Sequence, residues 1–172
     1  FPAAASLAAL DLTDKKPDEA RRRFEKVLAA DEKNVQALLA LAGLTAQNKG
    51  KPEEVLAILA RAVAANPTDT APRLALIEEH MRQKDIKKAL AASQDALAAI
   101  PENPDVLMTT GRVYLAAGEH NQALVSFNKV ASLQPNSGIP YFRIAEVQLA
   151  MNDREATIKS LRRAIEIKPD FL

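Results

Sequence analysis

The chain has 172 residues, of which 48% are hydrophobic, 26% charged and 4% aromatic, a balance that belongs to folded proteins and excludes a disordered one. Its 23 basic and 22 acidic residues leave a net charge of +1, too small a field to gather nucleic acid or an anionic membrane. Cysteine is absent, which removes disulfide scaffolds and thiolate chemistry.

The first stretch, FPAAASLAAL, has neither an initiator methionine nor a basic region ahead of its apolar residues. It does not read as a signal peptide; it reads as a cut. No apolar run approaches the roughly 18 residues of a membrane span, so direct membrane insertion by this segment is not expected. Apolar spacing and helix punctuation predict helices over 3–14, 17–30, 35–48, 53–65, 70–83, 86–99, 105–117, 120–133, 139–151 and 154–167. Frequent alanine favours helices that pack closely through small side chains. Pro72 and Pro140 fall in first turns, where a missing N–H does little harm.

Pro67, Pro101, Pro135 and Pro169 follow one another at intervals of 34 residues, each just after the second helix of a pair, where no further helical bond is possible. A fixed period of this length marks stacked helix pairs. Five units emerge, at about 1–34, 35–69, 70–103, 104–137 and 138–171. The second is one residue longer, and the surplus falls in QNKGKPEE, a hairpin turn where insertion is tolerated. The chain ends on KPDFL, the same kind of phrase as NPDVL at 103–107, so it reads as the start of a sixth first helix. Ile158, Leu161 and Ile165 then remain without a polar capping helix. The expectation is a single array excised from a longer repeat protein, with end-to-end self-association through this uncapped C-terminal helix.

Catalytic and metal chemistry find little support. The two histidines, His80 and His120, are far apart in sequence, whereas a metal needs three or four converging ligands. His80 is read as filling an aromatic slot, and His120 as opening a helix. Glu53–Glu54 and Glu78–Glu79 are adjacent pairs that diverge on a helix. There is no glycine-rich phosphate loop and no nucleophile elbow. No enzyme activity, catalytic residue, metal or cofactor is expected. The basic run RRRFEKV places Arg21, Arg22 and Arg23 around about 300° of a helix, not along a phosphate-tracking stripe. Arg162 and Arg163 read the same way, and nucleic acid is not expected as a partner.

The unit PDVLMTTGRVYLAAGEHNQALVSFNKVASLQP carries Gly111, Tyr114, Gly118, Ala123, Phe127 and Pro135 at the spacings of the tetratricopeptide repeat, which it resembles strongly; a weaker form covers essentially the whole chain. The resemblance implies an all-α, right-handed solenoid of about five helix-turn-helix repeats, ten helices in all. Gly111, matched by Ala42 and Ala145, would stand where the two helices of a hairpin come closest, and Ala123, matched by Ala20 and Ala89, on the second helix. Phe127, matched by Phe24, Leu59 and Leu161, would fill the space between hairpins, and Gly118 would permit the turn. The tryptophan position of the pattern departs to Ala4, Leu38, Arg73, Leu107 and Tyr141. The tyrosine position holds Asp11, Thr45, His80, Tyr114 and Gln148. Arg73 and His80 lead one to expect looser packing in the third repeat.

Proteins of this family bind partners on a concave face lined by first helices. Carried over position by position, one column is Ala5, Leu39, Leu74, Met108 and Phe142, and a second is Leu12, Ala46, Met81, Leu115 and Leu149. A third holds Ala9, Gly43, Glu78, Arg112 and Glu146, with Arg82 and Arg143 close by. Leu12, Leu115 and Leu149 are read as packing between helices, and for Leu74, Met108 and Phe142 packing and partner contact both stay open. Members that clamp the acidic C-terminus of chaperones use lysine and asparagine in these columns, so that role is disfavoured here. An apolar groove with a few charges suits a peptide or an amphipathic helix of a protein partner, and the expected site is Leu39, Leu74, Glu78, Met81, Arg82, Met108, Arg112, Phe142, Arg143 and Glu146.

The wording of EARRRFEKVLAADEKNVQALLALAGL and GRVYLAAGEHNQALVSFNKVASLQPNS further resembles the bacterial tetratricopeptide lipoproteins associated with exopolysaccharide production and the PEP-CTERM sorting system. That resemblance implies a lipid-anchored scaffold of the cell envelope; without it the location would be cytoplasmic. Two other readings stay open: the regulatory array of a larger enzyme such as a glycosyltransferase, and a structural spacer.

Overall fold

Along the chain, helices stop repeatedly on a residue in the left-handed region and reverse. Lys15, Lys49, Lys84, Gly118 and Asn152 have φ of 59°, 57°, 59°, 76° and 61°. The next residue's N–H then donates five positions back: Lys16 to the Asp11 carbonyl, Gly50 to Thr45, Asp85 to His80, Glu119 to Tyr114 and Asp153 to Gln148, over 2.7, 2.8, 3.0, 2.9 and 2.9 Å. These bonds satisfy carbonyls that a helix end otherwise leaves orphaned.

The structure is a computed structural model that describes residues 1–169, and among them these turns join ten helices with no strand. They are α1 (Pro2–Thr13), α2 (Pro17–Ala30), α3 (Val35–Gln47), α4 (Pro52–Ala65), α5 (Thr70–Arg82), α6 (Ile86–Ala99), α7 (Pro104–Ala116), α8 (His120–Leu133), α9 (Ile139–Ala150) and α10 (Arg154–Ile167). Every expected helix is present, with ends within one residue of the expectation. No helix among the described residues is long and apolar enough to cross a membrane.

The left-handed turns carry a prediction. Only Gly118 adopts this conformation without a Cβ penalty. Gly118→Ala is expected to lower stability by about 1 kcal/mol, and Lys84→Gly to raise it by about 0.5–1 kcal/mol. Urea denaturation midpoints of the two variants check this, and equal shifts of the same sign would refute it.

Second helices end differently. Asp31, Asn66, Ile100, Gln134 and Lys168 have φ of −145°, −143°, −140°, −127° and −139°. In four of these the following residue is a proline, which forces its predecessor out of the helical region. The side chain of Asn34 then accepts from the Ala37 N–H at 3.0 Å, and that of Asn103 accepts from Asp105 and Val106 at 2.9 and 3.1 Å, so the next helix starts capped. Lys168 and Pro169 follow α10 in the same way. Asp170, Phe171 and Leu172, the rest of the expected sixth helix start, lie outside the described residues.

The chain gathers into two compact units, Phe1–Glu79 and the residues from His80 onward. In the first, Ala8, Ala20, Phe24 and Leu28 pack with Leu38, Leu41, Val55, Ile58 and Leu59 into one core. Fully buried alanines (Ala8, Ala20, Ala37, Ala62) let the helices approach closely. Phe1 stacks on Phe24 at 6.3 Å between ring centroids. Arg73 donates from Nε to the Pro67 carbonyl at 2.6 Å, tying down the turn that precedes α5.

In the second unit, Ala123, Phe127, Ile144 and Val147 form a buried cluster from α8 and α9. A Cβ at Gly111 would lie 2.4 Å from the Phe127 ring, so glycine is what allows α7 and α8 to close. Gly138, at the start of α9, sits just as tightly on α10: a Cβ there would lie 2.7 Å from the Ala164 carbonyl oxygen.

Candidate functional site

Several charged side chains of the first unit are spent on one another. Arg21 reaches Glu25 at 2.8 Å and Glu54 at 2.6 Å, and Arg22 reaches Glu19 at 2.9 Å. Arg23 turns to Asp11. The three arginines thus point three ways, as their helical spacing requires. Hydrogen bonding from Arg23 holds the Asp11 carboxyl below its ordinary pKa, and the bonds to Glu54 and Glu25 hold the Arg21 guanidinium above its own. Among the described residues no cluster of three or more His, Cys, Asp or Glu side chains could hold a metal. His80, expected in a core slot, is only half-buried.

The first-helix face is built from α3 and α5 in the first unit. Leu39 packs against the core there, Leu74 is half-buried, and Glu78 is exposed. In the second unit Met81 is half-buried and Arg82 exposed at the end of α5. On α7, Met108 packs on the Phe127 cluster while Arg112 is exposed. On α9 the guanidinium of Arg143 donates to Glu146 at 2.8 Å and lies 5.7 Å from the centre of the Phe142 ring. The structure therefore brings Phe142, Arg143 and Glu146 together as one polar-aromatic group. It leaves Met108 largely a packing residue.

Two first-helix positions depart from expectation. Leu12 and Leu149 were expected to pack between helices, yet they are 38% and 63% exposed, whereas Leu115 does pack on the core cluster. Leu149 is the penultimate residue of α9, as Leu115 is of α7, and α9 is the last first helix among the described residues. Met151, at the turn, is exposed beside it in sequence. Sequence periodicity marks Leu115 and Leu149 alike because it sees register and not what packs beside each helix.

Models of the tetratricopeptide repeat match residues 11–78, 46–112 and 80–137, and a second such model matches 140–171. The chain belongs to the tetratricopeptide repeat family. Its helix pairs, left-handed turns and glycine–phenylalanine contact are that repeat's construction. Among curated relatives, mouse superkiller complex protein 3 is 27% identical over 158 residues, covering 90% of this chain and 10% of that protein. Cellulose synthase operon protein C of Pseudomonas fluorescens is 31% identical over 142 residues, covering 78% of this chain and 11% of that protein. The chain spans about a tenth of the length of these relatives. The crystal structure of MamA matches with a TM-score of 0.76 and 25% identity, covering 98% of this chain and 91% of that one.

Proposed function

We propose that this tetratricopeptide segment is a non-catalytic scaffold that holds a peptide or helix of a partner protein on its first-helix face. The observation that carries this is Leu149. A leucine 63% exposed on the same helix as the Phe142–Arg143–Glu146 group offers an apolar anchor beside a fixed charge pair, the combination by which an amphipathic segment is both held and oriented. The expected site is Leu39, Leu74 and Glu78 in the first unit and Met81, Arg82, Met108, Arg112, Phe142, Arg143 and Glu146 in the second, with Leu149 added. Similarity to cellulose synthase operon protein C supports a place in a bacterial envelope assembly for exopolysaccharide export.

The test is a crosslinking pull-down from bacterial envelope and cytosolic fractions with the segment and its Leu149→Glu variant side by side. Because Leu149 is exposed, the variant is expected to keep its helicity while losing most of the capture. Equal capture by both would move the site elsewhere, and capture only from cytosol would remove the envelope assignment.

A further inference from the structure

A second surface lies in the second unit, away from the first-helix face. Leu97 of α6 and Asn121, Gln122 and Val125 of α8 wall a cleft of about 500 Å³ floored by Leu107 and Tyr114 of α7. Leu107 and Tyr114 stand two helical turns apart, so the floor is about 10 Å long. On α7 this face is roughly 100° or more around from Met108 and Arg112. Val125, on the rim, is 71% exposed.

The equivalent cleft of the first unit shows what is unusual here. Between α2 and α4 it measures about 360 Å³ and is lined by Arg21, Glu25, Glu54 and Arg61 among others. There Arg21 spans the cleft to Glu54 at 2.6 Å and also binds Glu25, a clasp of charges that bridges the two helices. At the same registers the second unit has Leu90 for Arg21, Gln94 for Glu25, Gln122 for Glu54 and Val125 for Ala57. The clasp is gone, replaced by apolar side chains and amides. The remaining cation, Lys129, is neutralised by Glu102 at 3.1 Å.

We infer that this cleft binds an extended, uncharged segment of a partner protein bearing an apolar side chain. An extended backbone has N–H and C=O groups that need partners, and Asn121 and Gln122 each offer a donor and an acceptor along one wall. A helix satisfies its own backbone and would leave those amides unused. Three residues of extended chain cover about 10 Å, the length of the floor, and Leu97, Leu107, Val125 and the Tyr114 ring receive the side chain. Among the residues that line the cleft, a charged segment would meet Lys129, which is already paired with Glu102.

The experiment titrates the ¹⁵N-labelled chain with five blocked pentapeptides of the form Ser-X-Ser-X-Ser, where X is Leu, Ile, Val, Phe or Met. A side-chain-stapled helix of alanine, leucine and glutamine serves as the comparison. At least one pentapeptide is expected to produce saturable shifts at Leu97, Gln122 and Val125. Gln122→Ala is expected to weaken that binding about tenfold. Val125→Glu is expected to abolish it while its thermal midpoint stays within a few degrees of the parent. The inference is overturned if no pentapeptide gives saturable shifts, if the stapled helix alone moves these amides, or if the shifts survive Val125→Glu. Shifts confined to Phe142 and Leu149 would also overturn it while leaving the first-helix reading intact.

Discussion

Gly111→Leu is expected to lower the unfolding free energy by about 3 kcal/mol, because the side chain must enter space the Phe127 ring already fills. Even a Cβ would approach that ring to 2.4 Å, and Phe127 is fully buried, so the ring cannot swing into solvent. Gly111→Ala is the finer probe. Alanine gains about 1 kcal/mol of helix propensity over glycine, and a net loss would show that overlap with the ring outweighs it. The first unit indicates the remedy: Ala42 and Leu59 occupy the corresponding registers and are both buried. Phe127→Leu should therefore make Gly111→Ala tolerable, with a coupling of about 1 kcal/mol or more in a double-mutant cycle. Urea unfolding of the four chains measures it, and strict additivity would show that the two residues do not share one space.

Gly138→Ala is expected to remove about 2 kcal/mol, for a different reason. Its φ of −74° is open to any residue, so the penalty is not conformational. The obstacle is the main-chain oxygen of Ala164, 2.7 Å from the missing Cβ, and a helix backbone cannot step aside as a side-chain tip can. Gly43 supplies the control. It lies inside α3 with nothing within 4 Å of its would-be Cβ, so Gly43→Ala should gain up to about 1 kcal/mol. Thermal unfolding of both variants distinguishes the cases: a loss at Gly43 or a gain at Gly138 would contradict this packing.

The helices were legible because each end carries punctuation that acts through local sterics. Proline after a second helix removes a donor and constrains its predecessor, and Gly118 marks a left-handed turn. The other turns were not legible. Lys15, Lys49, Lys84 and Asn152 adopt the same conformation without a glycine, held by the bond from the following N–H. Arg73 looked like a lost aromatic because its register, not its reach to the Pro67 carbonyl, is what a pattern records. The third repeat also carries Ile77 and Ser93 at the Gly111 and Phe127 registers, both fully buried, which a search for small and then aromatic residues passes over.

Of the candidate site, the 34-residue register placed the columns, but burial within a column depends on what packs beside each helix. Leu115 is covered and Leu149 is not, although both stand at one register. The cleft between α6 and α8 was hidden for a related reason. Its distinction is the lack of a clasp that, in the first unit, joins Arg21 to Glu54 across 33 positions of sequence, and only comparison of the two units exposes it.

The central claim, that a partner is held on the first-helix face, is tested most directly by photo-crosslinking. A photoreactive amino acid at position 149 of the chain is compared in living bacteria with one at position 133, the exposed last residue of α8. The account predicts a discrete crosslinked species from position 149 that is absent from position 133. The same species from both positions, or from position 133 alone, would contradict it.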